Sequence, residues 1–125
     1  MLQKILLLSI AGALGTLSRY GFAGLIQRGS GTSFPWGTFA VNMTGCFLAG
    51  LFWTLSESRW AVSGETRVIV LVGFMGSFTT FSAMILETGM LLRSAEWASA
   101  AANLALQNGL GLVVLLAGMA LGRML

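Results

Sequence analysis

The sequence predicts an all-α integral membrane protein with four transmembrane helices, the third broken near its middle. Three observations carry this expectation. Hydrophobic residues make up 56% of the chain and charged residues 9%, against about 25% charged in a soluble domain. Four apolar stretches follow one another, each matching the roughly 20 residues a helix needs to cross the hydrocarbon core. The third stretch combines two glycines, hydroxyls, rings and a carboxylate over residues 73–87, and polar or ionisable groups at membrane depth mark function by default. No connecting stretch is long enough to fold alone, so residues 1–125 read as a single four-helix transmembrane domain.

The stretches cover about residues 4–26, 36–55, 66–92 and 97–121. The first connection, residues 27–35, holds Gly29-Ser30-Gly31-Thr32-Ser33 and the only Pro, all turn formers. The others cover residues 56–65 and 93–96. Trp36, Trp53, Trp60 and Trp97 fall at or near expected helix ends, which suits an interfacial aromatic belt. Lys4, the apolar run after it and Ala11-Gly12-Ala13 fit a signal-peptide pattern. The apolar stretch continues beyond that point, which favours a first membrane helix. Small residues recur at helical spacing, among them Ala11, Gly12, Gly15, Gly45, Ala49, Gly109, Gly111, Gly118 and Gly122. That spacing lets transmembrane helices approach closely.

Composition also excludes classes. There is no His and one Cys, Cys46. A Cys/His metal cluster, an intrachain disulfide and a Ser-His-Asp or Cys-His set are therefore ruled out, and the chain is not expected to be an enzyme. The charge of +3 comes from scattered residues, so no basic run points to nucleic acid. With a cytoplasmic N-terminus, Lys4, Arg59, Arg67 and Arg123 lie on one side, and Arg28, Arg93 and Arg19 lie at or toward the other. So weak a positive-inside bias fits either a poorly determined single orientation or dual insertion with antiparallel pairing of two copies.

The third stretch is suited to such pairing, because a two-fold axis in the membrane plane brings midplane features of two copies together. Gly73, Gly76 and Thr79-Thr80 are weak helix formers. One reading is a break near residues 76–79 that frees backbone carbonyls, which are hard ligands for a cation. Such a break is tolerated only in protein or beside a cavity. The other is an unbroken helix with glycines used for packing. Phe78, Phe81, Met84 and Glu87 follow at intervals of three and form a slowly rotating stripe. Thr79, Thr80, Ser82 and Asn42 add hydroxyl and amide donors for a dehydrated anion, and ring edges carry positive quadrupole charge. The stretch therefore reads as the lining of an anion pore. Arg19 is either an anion-attracting vestibule residue or a snorkelling side chain. Glu87 either pairs with Arg19 or bonds nearby hydroxyls or backbone. Asn103, Gln107 and Asn108 form either inter-helix hydrogen bonds or a second polar track.

Taken together these residues resemble the Fluc (CrcB) family of bacterial fluoride channels. The motifs are Gly12-xx-Gly15-xxx-Arg19-Tyr20, Gly37-Thr38-xxx-Asn42-xx-Gly45, and Gly73-Phe74-x-Gly76-xx-Thr79-Thr80-Phe81-Ser82 followed by Glu87. They fall on three successive helices, and the resemblance covers nearly the whole chain. It implies an antiparallel, dual-topology homodimer with two fluoride pores in the bacterial inner membrane, surrounded by lipid. It implies passive export of fluoride and hence fluoride resistance. It implies a structural Na+ at the dimer interface, held by the carbonyls of Gly76 and Thr79 from both subunits. Asn42 and Phe81 are implied to line the fluoride path, with Thr38 nearby and Arg19 at the vestibule. Thr80 and Ser82, as hydroxyl donors, belong to the same expected pathway.

The chain departs from the family pattern in two places. Met84 stands where a second pore Phe is usual, and its sulfur is a weak acceptor. Asn103 and Gln107 stand where Tyr or Asn, then Ser, are usual. The alternative function is a small proton-coupled multidrug exporter, but that chemistry needs an acid in the first helix, which here has Arg19 and neither Asp nor Glu. A non-transporting assembly subunit would need neither the Thr-Thr-Phe break nor Asn42.

Overall fold

The computed structural model describes residues 1–58 and 60–125; Arg59, one of the charges weighed for orientation, lies outside them. The helices are α1 (Leu2–Ser30), α2 (Trp36–Ser58), α3 (Gly64–Val68), a π-helical run Ile69–Met75, α4 (Gly76–Phe78), α5 (Phe81–Arg93) and α6 (Trp97–Met124). The segments from α3 to α5 form one bent third span. Among the described residues four spans are long and apolar enough to cross a membrane: Leu2–Ser30, Trp36–Glu57, Gly64–Arg93 and Trp97–Met124. The expected order holds, and the helices run a few residues beyond the expected ends. In particular, Gln27 to Ser30 are helical rather than loop.

Local chemistry explains the ends. Gly31 closes α1 in the left-handed region, φ 62° and ψ 16°, where a Cβ is disfavoured. Gln27 organises the turn into α2. Its Nε2 donates to the carbonyls of Thr32 and Phe34, each at 3.1 Å, and its Oε1 accepts the Gly37 N–H at 3.0 Å. Ser63 caps α3 by accepting the Thr66 N–H at 3.1 Å, which satisfies a donor the helix start leaves free. Trp36, Trp53, Trp60 and Trp97 are all exposed, as an aromatic belt requires.

Packing rests on small residues. Helices α2 and α6 run parallel and make the most extensive contact in the molecule. A Cβ on Gly118 would stand 2.2 Å from the Phe47 carbonyl oxygen, and one on Gly50 2.2 Å from that of Leu115. Helix α1 lies against the third span in the same manner, and a Cβ on Gly15 would stand 2.4 Å from the Phe74 oxygen. Ala11, in the stretch that fits a cleavage site, sits mid-helix with its Cβ against Gly73. Among the glycines that recur at helical spacing, Gly109 differs from Gly12, Gly15, Gly45, Gly111, Gly118 and Gly122: a Cβ there meets nothing within 4 Å, so packing within the chain does not account for it. The buried apolar residues are few, with Val41, Leu55, Phe78, Met84, Leu91 and Ala100 forming the core. Most large apolar side chains face outward, the arrangement a lipid solvent favours.

Replacing Gly118 by Val is expected to destabilise the bundle by about 1–3 kcal/mol or more through overpacking against backbone. Gly109→Ala should be neutral or stabilising by up to about 1 kcal/mol. Thermal unfolding of the two variants in detergent checks this pair, and equal melting points would contradict the packing account.

Candidate functional site

The third span breaks at Thr79 and Thr80, whose backbones are extended: φ −85°, ψ 160° and φ −151°, ψ 120°. The expected break near residues 76–79 is found at its C-terminal end, at Thr79 and on into Thr80, because Gly76 keeps helical angles, φ −62° and ψ −30°. The threonines do what the glycine does not. Thr79 folds back, its hydroxyl and its N–H both donating to the Met75 carbonyl at 2.9 Å. Thr80 serves as the N-cap of α5, its hydroxyl accepting the Ala83 N–H at 3.2 Å. Such side-chain bonds offer the backbone an alternative to helix.

Asn42 supplies the partner that the unwound backbone lacks. Its Oδ1 accepts the Thr80 N–H at 2.8 Å, and its Nδ2 donates to the Thr80 carbonyl at 3.0 Å. One amide side chain thus replaces a neighbouring peptide unit. Gly45 lets α2 come close enough, since a Cβ there would stand 2.1 Å from Thr79 Cγ2. The bonds across the break leave the carbonyls of Gly76 and Thr79 without a hydrogen-bond donor among the described residues.

A chain of side-chain amides continues from Asn42. Its Nδ2 also donates to Gln107 Oε1 at 2.6 Å, and Gln107 Nε2 donates to Asn103 Oδ1 at 2.8 Å. Asn103 Nδ2 donates to Thr88 Oγ1 at 2.9 Å and to the Met84 carbonyl at 3.3 Å. The Thr88 hydroxyl donates to the same carbonyl at 2.8 Å. Asn103, Gln107 and Thr88 are all buried, where unpaired polar groups cost most. Asn103 and Gln107 thus take the inter-helix hydrogen-bond alternative, to α5 and to α2, and link into one chain. Thr88 belongs to it and was not singled out from sequence, although its position one turn after Met84 is a legible signal. Asn108 stays exposed and bonds back to the Leu104 carbonyl at 2.7 Å.

Two cavities flank the break. One, of about 580 Å³, is lined by Arg19, Tyr20, Gln27, Thr38, Thr80 and Glu87 among others. The second, of about 460 Å³, is lined by Asn42, Thr79, Phe81, Met84 and Gln107, and again by Thr80. Gly76 also lines the second. Thr80 is thus the shared wall. Helix α5 begins beside it and directs the positive end of its macrodipole at the break.

Most of the residues expected at the site are brought together here, but not all in the expected way. Ser82 is exposed and lines neither cavity. The expected stripe is interrupted, because Phe78 precedes the break and stacks on Phe74 at 5.9 Å and on Phe22 at 6.4 Å. Phe81 is 70% exposed, whereas Met84 is 4% exposed. Glu87 takes the hydroxyl alternative: Thr38 donates to its Oε1 at 2.6 Å. Its Oε2 is buried without a hydrogen-bond partner among the described residues. Arg19 shares that cavity with Glu87. Among the described residues no group of three or more His, Cys, Asp or Glu is placed to hold a metal.

Residues 6–119 match the family model described as CrcB-like protein, Camphor Resistance (CrcB). A protein of Desulforapulum autotrophicum named fluoride-specific ion channel FluC is 61% identical over 125 residues, covering all of both chains. Proteins of the same name from Nitrosococcus oceani and Solidesulfovibrio magneticus are 50% and 47% identical, again over the full length of both chains. The exporter alternative finds no support, and the family is one of ion channels rather than enzymes. With the family model and full-length relatives in agreement, this multi-pass membrane chain belongs to the CrcB (Fluc) family.

Proposed function

We propose that the chain forms a fluoride-selective channel that lets fluoride leave passively across the bacterial inner membrane. The observation that carries this reading is the Thr79–Thr80 break, held by Asn42 between two cavities. The names of the full-length relatives point to the same ion. A small anion entering the cavity at Asn42 meets amide and hydroxyl donors, the rim of Phe81 and the positive end of α5. On the other side Arg19 offers the attracting charge, and Thr38 holds the Glu87 carboxylate by one oxygen. No energy source is needed, because a negative interior drives anions outward by about 2.3 kcal/mol per charge per 100 mV.

The working unit in this reading is an antiparallel, dual-topology homodimer with two pores. The exposed ring of Phe81 and the break itself lie on a surface that one chain leaves open, and a second copy related by an in-plane two-fold would cover it. A structural Na+ fits the orphaned carbonyls of Gly76 and Thr79, since backbone oxygens are hard ligands. When bound it supplies positive charge to carbonyls that the broken helix leaves unpaired.

The test is ion efflux from liposomes carrying purified protein, with fluoride and chloride electrodes read in parallel and valinomycin supplying potassium counter-current. Fast fluoride release without chloride release is expected. Release of neither anion from folded protein would overturn the reading. Asn42→Ala is expected to lower fluoride flux by on the order of tenfold to a hundredfold, since it removes donors and leaves Thr80 unpaired. Wild-type flux from a folded Ala variant would count against Asn42 as a pathway residue. Met84→Phe, which restores the usual ring, is expected to keep or raise fluoride flux in the same assay, and a large loss would show that the ring does not suit this pore.

A further inference from the structure

The geometry points to Gln107 as a second, switchable anion donor, brought into play by reversal of the whole amide chain Asn42–Gln107–Asn103–Thr88. This inference rests on the fluoride-channel reading and goes beyond it. Both hydrogens of the Asn42 amide are already engaged, one by the Thr80 carbonyl and one by Gln107 Oε1 at 2.6 Å. An anion in the cavity that Asn42 and Gln107 both line therefore finds no free N–H at Asn42. Giving up Thr80 would dismantle the break, because the same amide also holds the Thr80 N–H. The bond to Gln107 is the one that can be released. In the ion-free arrangement Gln107 Oε1 stands as an internal substitute for the anion.

The chain beyond Gln107 permits the change. A half-turn of the Gln107 amide presents Nε2 to the cavity and Oε1 to Asn103. A matching half-turn of Asn103 lets its Nδ2 donate to Gln107 Oε1 and its Oδ1 accept from Thr88. The Thr88 hydroxyl needs only to rotate from the Met84 carbonyl, its present acceptor. Every member has both donor and acceptor capacity, so the Gln107–Asn103 and Asn103–Thr88 links are kept with their directions reversed, while the Met84 carbonyl gives up the two side-chain donors it now accepts. Two features oppose reversal without an ion. Asn103 and Thr88 both lose their bonds to the Met84 carbonyl, and two N–H donors, Asn42 Nδ2 and Gln107 Nε2, then face each other. A negative ion between them removes that repulsion. The gap now spans one hydrogen bond, and opening it for fluoride requires less movement than opening it for chloride. Gln107 is thereby a specificity-determining residue. Asn103, which lines neither cavity, is a positioning residue that acts through it.

Gln107→Glu removes the donor at this position, and because it also adds a charge that repels anions and breaks the bond to Asn103, the side-chain NMR signal of the wild-type protein separates the donor role from a structural one. The variant keeps an acceptor for Asn42 and nearly the same shape, but an ionised carboxylate cannot donate. Fluoride flux in liposomes is expected to fall on the order of tenfold to a hundredfold; wild-type flux would overturn the proposal. A second readout does not depend on the variant folding. In wild-type protein labelled with [15N]glutamine, the side-chain NH2 resonances of Gln107, assigned by their loss in Gln107→Leu, are expected to shift on titration with sodium fluoride and not with sodium chloride. In Asn103→Leu, which cannot complete the reversal, that fluoride shift is expected to be lost. Unmoved Gln107 resonances in protein that conducts fluoride would overturn this inference alone. A wild-type protein that conducts no fluoride would overturn the channel reading and this inference with it.

Discussion

Non-helical backbone at membrane depth must find partners inside the protein, because hydrocarbon offers none. The whole molecule is arranged around one instance of that constraint, the extended pair Thr79–Thr80. Asn42 meets it with a two-point amide bond to Thr80. The cost of leaving a peptide group unpaired in such a place is several kcal/mol, far more than an ordinary inter-helix hydrogen bond of about 0.6 kcal/mol in membranes. Asn42 is therefore as much a structural member of the third span as the residues of the span itself.

Delivering Asn42 to that point places demands on its surroundings. Helix α2 must pass close to the break, which Gly45 permits, and close to α6, which Gly50 and Gly118 permit. The α2–α6 contact in turn brings Gln107 to Asn42 and starts the buried amide chain to Thr88. Packing and polarity support each other here. The glycines set the distance, and the amides satisfy what the close approach buries. The same geometry leaves a cavity on each side of Thr80, one facing Arg19 and Glu87, the other facing Phe81 and Met84.

The two polar chains differ in character. The link from Thr38 to Glu87 is short and ends in a carboxylate oxygen that has no hydrogen-bond partner among the described residues. The chain from Asn42 to Thr88 is longer, built from neutral groups, and ends on the Met84 carbonyl. Neutral amides can exchange donor and acceptor roles, whereas a carboxylate that stays ionised cannot. That difference lets Gln107, and not Glu87, turn from acceptor to donor. It also gives the unusual residues Asn103 and Gln107 a function that fits together: each needs the other to reverse.

The sequence by itself determined the number and order of the spans, since hydropathy over some twenty residues is a sum that no tertiary contact changes. It also marked the third span as the candidate site, because polar groups in an apolar stretch are visible without coordinates, and it singled out Asn42, Thr80 and Phe81, which the fold gathers around one cavity. Tertiary structure alone decided where the helix opens. Weak propensity at Gly76 and at the two threonines was legible, but the choice between them depended on Asn42 arriving beside Thr80. It alone decided that Phe78 leaves the stripe, because an extended pair resets the helical phase. It alone joined Gln107, Asn103 and Thr88 into one chain. Their spacing on single helices could be read, but a hydrogen bond between helices depends on a rotation and depth that only packing sets.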